Sequence, residues 1–180
     1  MSLNPLPGAP DKETQLERII RVDHAGEYGA KRIYEGQLAI LKGKAAEPTI
    51  RHMSEQEQKH LEAFEALMRE KHVRPTALMP FWHVGGFLMG AMTAMMGEKA
   101  AMACTVAVEE VIDGHYKRQQ EALEGDEEGL KELVTQFRQE EQEHRDIGLE
   151  HGAEQATAYP LLRSVVGGIT KAAIWLSERV

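Results

Sequence analysis

Residues 57–60, Glu-Gln-Lys-His, set a glutamate one helical turn before a histidine, and residues 141–144, Glu-Gln-Glu-His, repeat the arrangement. A carboxylate and an imidazole at this spacing lie on one helix face and can hold one cation between them. With 29 acidic residues among 180, such pairs also arise by chance, so spacing alone decides nothing. The company they keep is more telling. Glu57 and His60 share a stripe with Ile50, Met53, Phe64 and Met68, while Glu141 and His144 share one with Leu130, Val134 and Phe137. Two further carboxylates sit on apolar faces: Glu27 with Leu16, Ile20, Ala30, Tyr34 and Leu38, and Glu109 with Met102, Val106 and Ile112. A buried carboxylate with no partner is costly and ordinarily protonates. Four of them on four helices call for a shared cation.

The order of these residues is itself a pattern. Glu27 precedes Glu57 by 30 residues and Glu109 precedes Glu141 by 32, so each half of the chain reads Glu, then Glu-x-x-His on the next helix. One Glu from each of two helices and Glu-x-x-His from the other two is the ligand set of ferritin-like carboxylate proteins that hold two metal ions. Oxygen donors with two imidazoles suit iron or manganese better than zinc or copper.

Helices must carry these groups. Asp11, or Thr14 with Glu17 three residues on, can start a first helix that runs to Gly43;. Pro48 suits the opening of a second, ending near His72;. A fourth runs from about Glu98 to Leu123 and stops at Gly125, and a fifth starts at Asp126 and ends near Gly152;. Pro160 lies near the start of a sixth that reaches Glu178, with Leu162, Val165, Val166, Ile169, Ala173 and Leu176 on a wide apolar face;. No run alternates with period two. The chain is therefore expected to be all-α, a ferritin-like four-helix bundle with two additional apolar or interfacial helices, forming a single domain over 1–180 with residues 1–11 flexible.

Residues 75–97 stand in third place and contain no Asp, Glu, Lys or Arg. Their length could just span a bilayer. Two prolines, four glycines and His83 fit a buried helical hairpin or an interfacial segment better than a span;. A plain cap on the bundle is the alternative. A formal charge of −8 argues against a phosphate-binding surface, so no nucleic acid is expected;. The single Cys104 forms no internal disulfide and is expected to be packed as a small residue;. No targeting peptide is evident, which places the expected location on the cytoplasmic face of the cell membrane, peripheral to it.

Several blocks carry a more specific likeness: "RIIRVDHAGEYGAKRIYEGQ", "EQKHLEAF", "VRPTALMPFW", "AMACTVAVEEVIDGHY", "EEQEHRDIGLEHGAE" and the terminal "LSERV". Over roughly residues 17–180 the chain resembles the demethoxyubiquinone hydroxylase family. The resemblance implies Glu27, Glu57, His60, Glu109, Glu141 and His144 as ligands of two iron ions per chain, in a monooxygenase of ubiquinone biosynthesis. It implies hydroxylation of the one unsubstituted ring carbon of a polyprenyl quinol, with O₂ as co-substrate and electrons ultimately from NADH. The membrane surface and other ubiquinone-biosynthesis proteins would be its partners, and a homo-oligomer is compatible with it. No Gly-rich dinucleotide fingerprint is present to mark an electron route;.

Lesser candidates remain beside the ligands. His115 and Tyr116 resemble family residues near the site, against the plainer reading of an exposed histidine and a core tyrosine. Asp23, Asp113 and Asp146 could orient ligand histidines, or could be surface and cap carboxylates. Glu110 competes with Glu109 only in register. Two other functions stay open on the residues: a ferritin-like iron oxidase or peroxide scavenger, and a non-catalytic quinone-binding scaffold.

Overall fold

The structure is a computed structural model and describes residues 11–123 and 128–180. Among the described residues six α-helices follow in order: α1 Lys12–Leu41, α2 Glu47–Glu70, α3 Met79–Met95, α4 Glu98–Ala122, α5 Glu128–Glu150 and α6 Tyr159–Ser177, with a short 3₁₀ turn at Ala153–Gln155. The expectations for residues 1–10, for Gly125 as a helix stop and for Asp126 as a start lie outside the described residues. Asp11, rather than Thr14, caps α1: its side chain accepts the Thr14 N–H at 2.7 Å. The apolar third segment is one helix, not a hairpin: residues 74–78 are non-helical, and α3 then runs unbroken through Gly85, Gly86 and Gly90.

Short connections fold α1 with α2 and α4 with α5 into two hairpins, which face each other as a four-helix bundle. By position along the helices, two apolar plugs flank its middle. One holds Ile20, Phe64, Ile112, Val134 and Phe137; the other holds Leu41, Ile50, Met53, Met102 and Val106. Ligand-bearing positions thus sit between two dry layers.

The remaining helices cover the flanks. α6 lies against α4, and α3 lies against α1 so closely that their backbones meet. A Cβ on Gly90 would run into the Ile33 carbonyl, and one on Gly36 into the Phe87 carbonyl. Glycine is required there because any side chain would force the helices apart. Gly97, at φ +114°, supplies the left-handed backbone that turns α3 into α4;. Among the described residues no helix is long and apolar enough to cross a membrane.

Candidate metal centre

All six expected ligands meet at the centre of the bundle, each no more than 2 % exposed. They form two overlapping groups: Glu27, Glu57, His60 and Glu141, and Glu57, Glu109, Glu141 and His144. In each group one atom per residue lies within 4.8 Å of the others. Glu57 and Glu141 are common to both, so they lie between the two groups.

Both imidazoles aim Nδ1 inward. His60 Nδ1 lies 3.0 Å from Glu141 Oε1 and 3.3 Å from Glu27 Oε2, and His144 Nδ1 lies 3.0 Å from Glu141 Oε2 and 3.2 Å from Glu57 Oε1. Their Nε2 atoms face outward to fixed acceptors. His60 Nε2 meets Glu140 Oε2 at 2.7 Å and His144 Nε2 meets Gln56 Oε1 at 3.0 Å. A hydrogen on each Nε2 leaves the Nδ1 lone pair free for a metal.

Several inner oxygens are left without hydrogen bonds: both of Glu57, one each of Glu27, Glu109 and Glu141. Such orphaned buried acceptors are expensive unless a cation answers them. The donor set therefore fits two divalent ions, with Glu27 and His60 on one side and Glu109 and His144 on the other. Without cations, protons must balance the charge. Burial, then the nearby Glu141 and Glu27 charges, pushes the Glu57 carboxyl well up, and burial with Glu141 and Glu57 does the same to Glu109. Burial disfavours charge on His60, but the Glu141 and Glu27 carboxylates beside its Nδ1 outweigh it and push that imidazole up to about 12. Burial likewise opposes ionisation of Glu141, yet bonding to His144 and His60 holds its carboxyl low.

Two tyrosines steady the outer carboxylates. Tyr34 donates to Glu109 Oε1 at 3.0 Å and Tyr116 donates to Glu27 Oε1. Tyr116, on the same helix as Glu109, thus serves the carboxylate across the bundle. His115 is buried at 7 % exposed and joins Asp23 and Gln119, with His115 Nε2 3.2 Å from Asp23 Oδ1 and Gln119 donating to that oxygen at 2.7 Å.

The proposed orienting aspartates do not reach a ligand histidine. Asp23 partners His115, Asp113 accepts from Arg138 and Gln142, and exposed Asp146 pairs with Arg145. Their faces simply point elsewhere. Gln56 and Glu140 meet His144 and His60 instead, each one residue before an expected ligand glutamate. A sequence signal existed, since both occupy the same slot of the repeated motif. Glu110 turns outward to Arg163, and Cys104 is packed in the core.

Beside Glu27, Tyr116 and His115 opens a cavity of about 480 Å³. Gly29 and Ile33 of α1, Met89 and Met92 of α3, and Val165 and Ile169 of α6 line it, and its walls are almost wholly apolar. That volume lies in the usual range for small-molecule sites. The outer rims are apolar too: Phe81, Leu88, Met92 and Met95 on α3 and Leu161, Val165, Ile169 and Trp175 on α6 are exposed.

Fold and site define a ferritin-like helical bundle whose carboxylate–histidine cluster is compatible with two iron ions;. The chain belongs to the family described as ubiquinone biosynthesis protein COQ7, whose model matches residues 14–177. It is 53% identical over 176 residues to a 3-demethoxyubiquinol 3-hydroxylase of Rhodospirillum rubrum, covering 97% of this chain and 83% of that one. A human protein named NADPH-dependent 3-demethoxyubiquinone 3-hydroxylase, mitochondrial, is 52% identical over 169 residues, covering 92% of this chain and 78% of its own. The 5-demethoxyubiquinone hydroxylase, mitochondrial, of Saccharomyces cerevisiae is 40% identical over 182 residues, covering 92% and 78%.

Proposed function

We propose that this chain is the O₂-dependent monooxygenase that hydroxylates the ring of a polyprenyl demethoxyubiquinol in ubiquinone biosynthesis. The observation that carries the reading is the adjacency of two features: a carboxylate cluster with orphaned oxygens, and an apolar cavity ending on Glu27 and Tyr116. An iron store has no use for that cavity. Glu27, Glu57, His60, Glu109, Glu141 and His144 would hold two iron ions, which when bound would supply the activation of O₂ needed to place a hydroxyl on the ring.

The chain's own residues do the rest. Apolar walls from α1, α3 and α6 exclude water and accept the ring with the first part of its tail. Tyr116, anchored by its bond to Glu27, and His115, braced by Asp23 and Gln119, form the polar end that meets the quinol oxygens. The exposed apolar edges of α3 and α6 rest on the membrane surface, so the tail reaches the cavity without crossing water. The reductant is a reduced nicotinamide nucleotide. The resemblance favours NADH, whereas the human relative is named for NADPH.

The test is the quinone content of cells lacking this protein, read by mass spectrometry. The demethoxy precursor should accumulate and should clear when the intact chain, but not Glu57→Ala, is returned. A normal quinone profile in such cells would exclude the reading. Product formation by the purified protein with NADH and with NADPH separates the two donors.

A further inference from the structure

The two halves of the cluster copy each other closely. Tyr34 follows Glu27 by seven residues and donates to Glu109; Tyr116 follows Glu109 by seven and donates to Glu27. Each Glu-x-x-His supplies one shared carboxylate and one inward Nδ1. Each motif is also preceded by a residue that reaches across to the other half's histidine. There the copies differ. Glu140 backs His60 through a carboxylate oxygen at 2.7 Å, while Gln56 backs His144 through an amide oxygen at 3.0 Å.

That difference has a chemical consequence. A carboxylate accepts the outer imidazole hydrogen more strongly than an amide does, and so leaves more electron density on the inner nitrogen. We infer that the two metal positions are unequal by construction: the one held by Glu27 and His60 binds its ion more tightly, because Glu140 backs its histidine. The inference rests on the two-metal reading above. Its orientation is also fixed by the fold. The cavity touches Glu27 and Tyr116 but neither Glu109 nor Tyr34, so the tighter position faces the substrate and the weaker one lies behind it. Glu140 and Gln56 are positioning residues, acting through the histidines they touch.

Cobalt(II) titration of the full metal-free chain, with a competing chelator, reads the two stepwise constants. The native protein should take two ions, with constants split by roughly ten- to a hundred-fold. Glu140→Gln should narrow the split by weakening the first step. Gln56→Glu should narrow it by strengthening the second. The double swap should restore the split with the order reversed. Order is read from which histidine's Nε2 hydrogen shows the paramagnetic shift at one equivalent. General damage to the fold cannot restore a split in the double variant, and unchanged helical circular dichroism checks each protein. Two ions bound with the same split in all four proteins, or with equal constants in the native chain, overturn the inference alone. Failure of the native chain to bind two ions overturns the two-metal reading as well.

Discussion

The bundle centre and the outer edge of α3 and α6 invert the usual distribution of side chains. At the centre, four glutamates and two histidines are sealed from water between two apolar plugs. At the edge, Phe81 and Met95 are 68 % and 74 % exposed. Either feature alone destabilises a protein in water: buried charge loses hydration, and exposed apolar surface invites association. Each makes sense with an outside partner, cations for the first and an apolar phase for the second. The cavity joins them, because its walls come from the edge helices and its end from the cluster. A change in one region therefore bears on the other's task.

Removing a shared carboxylate is the hardest blow to the centre. Glu57→Ala or Glu141→Ala should abolish binding of the second ion and all hydroxylation, as metal analysis and product assays would show. Metal-free Glu57→Ala should nevertheless unfold at higher denaturant than the metal-free native chain, since it removes a carboxyl disfavoured by burial and by neighbouring charge;. Metal-free Glu141→Ala, which takes the counter-charge from His60 and His144, should instead unfold at lower denaturant;. Full metal content with full turnover in either variant would remove these residues from the ligand set.

The edge is tested by charging it. Met95→Glu or Leu161→Glu should weaken binding to lipid vesicles, each charge opposing insertion by about 2–4 kcal/mol depending on depth. Turnover with a long-tailed quinol should fall while turnover with a short, water-soluble one persists. Equal loss with both substrates would mean that the edge serves only to hold the bundle together.

The seam between edge and centre is a smaller target. Gly90→Ala places a methyl against the Ile33 carbonyl and should lower stability by about 1–3 kcal/mol;. A chemical-denaturation midpoint unchanged from native would show that α3 stands off from α1 in solution.

Acidity gives the mildest probe. In the metal-free state His60 keeps its proton up to about 12, against an ordinary 6.5. Its stabilising contribution is complete below about pH 6.5 and drains away as pH rises through the folded value. Glu57 and Glu109, pushed up chiefly by burial, act in the same direction, because the unfolded chain sheds those protons earlier;. Glu141, held low, opposes this only in acid. The metal-free denaturation midpoint should thus fall between about pH 6.5 and 9, and bound metal, replacing those protons, should flatten the dependence. A midpoint that rises over this range would contradict the protonated cluster.

The six central residues were legible because helical periodicity places a polar group unambiguously on an apolar face. The helix sequence was legible for the same reason, with its stops marked by Gly43, Gly97 and Gly152. Contacts across the bundle were not. Whether His60 would meet Glu140, or an aspartate nearer in sequence, depends on the rotation of α5 against α2, which no single helix encodes. The packing of Tyr116 onto Glu27, 89 residues away, is of the same kind. The third segment showed its lack of charge but not its form, since Gly85, Gly86 and Gly90 look like breaks until the close approach of α1 explains two of them.

The glycine seam also sets the character of one cavity wall. α3 rests on α1 with backbone against backbone at Gly36 and Gly90, and Tyr28 and Arg32 of α1 bond His83 of α3 beside that contact, so this wall is tightly joined. α6 is seated more loosely: a Cβ on Gly167 would meet Val111 and Ala107 only at ordinary contact distances of 3.6 and 3.7 Å. Its clasp to α3 is one hydrogen bond, from Trp82 Nε1 to Ser177 Oγ at 3.0 Å, near the far end of the helix. The cavity therefore has unlike walls: a seam of touching backbones on the α1–α3 side, and on the other side α6, joined to α3 by the Trp82–Ser177 bond and to α4 by Arg163 on Glu110.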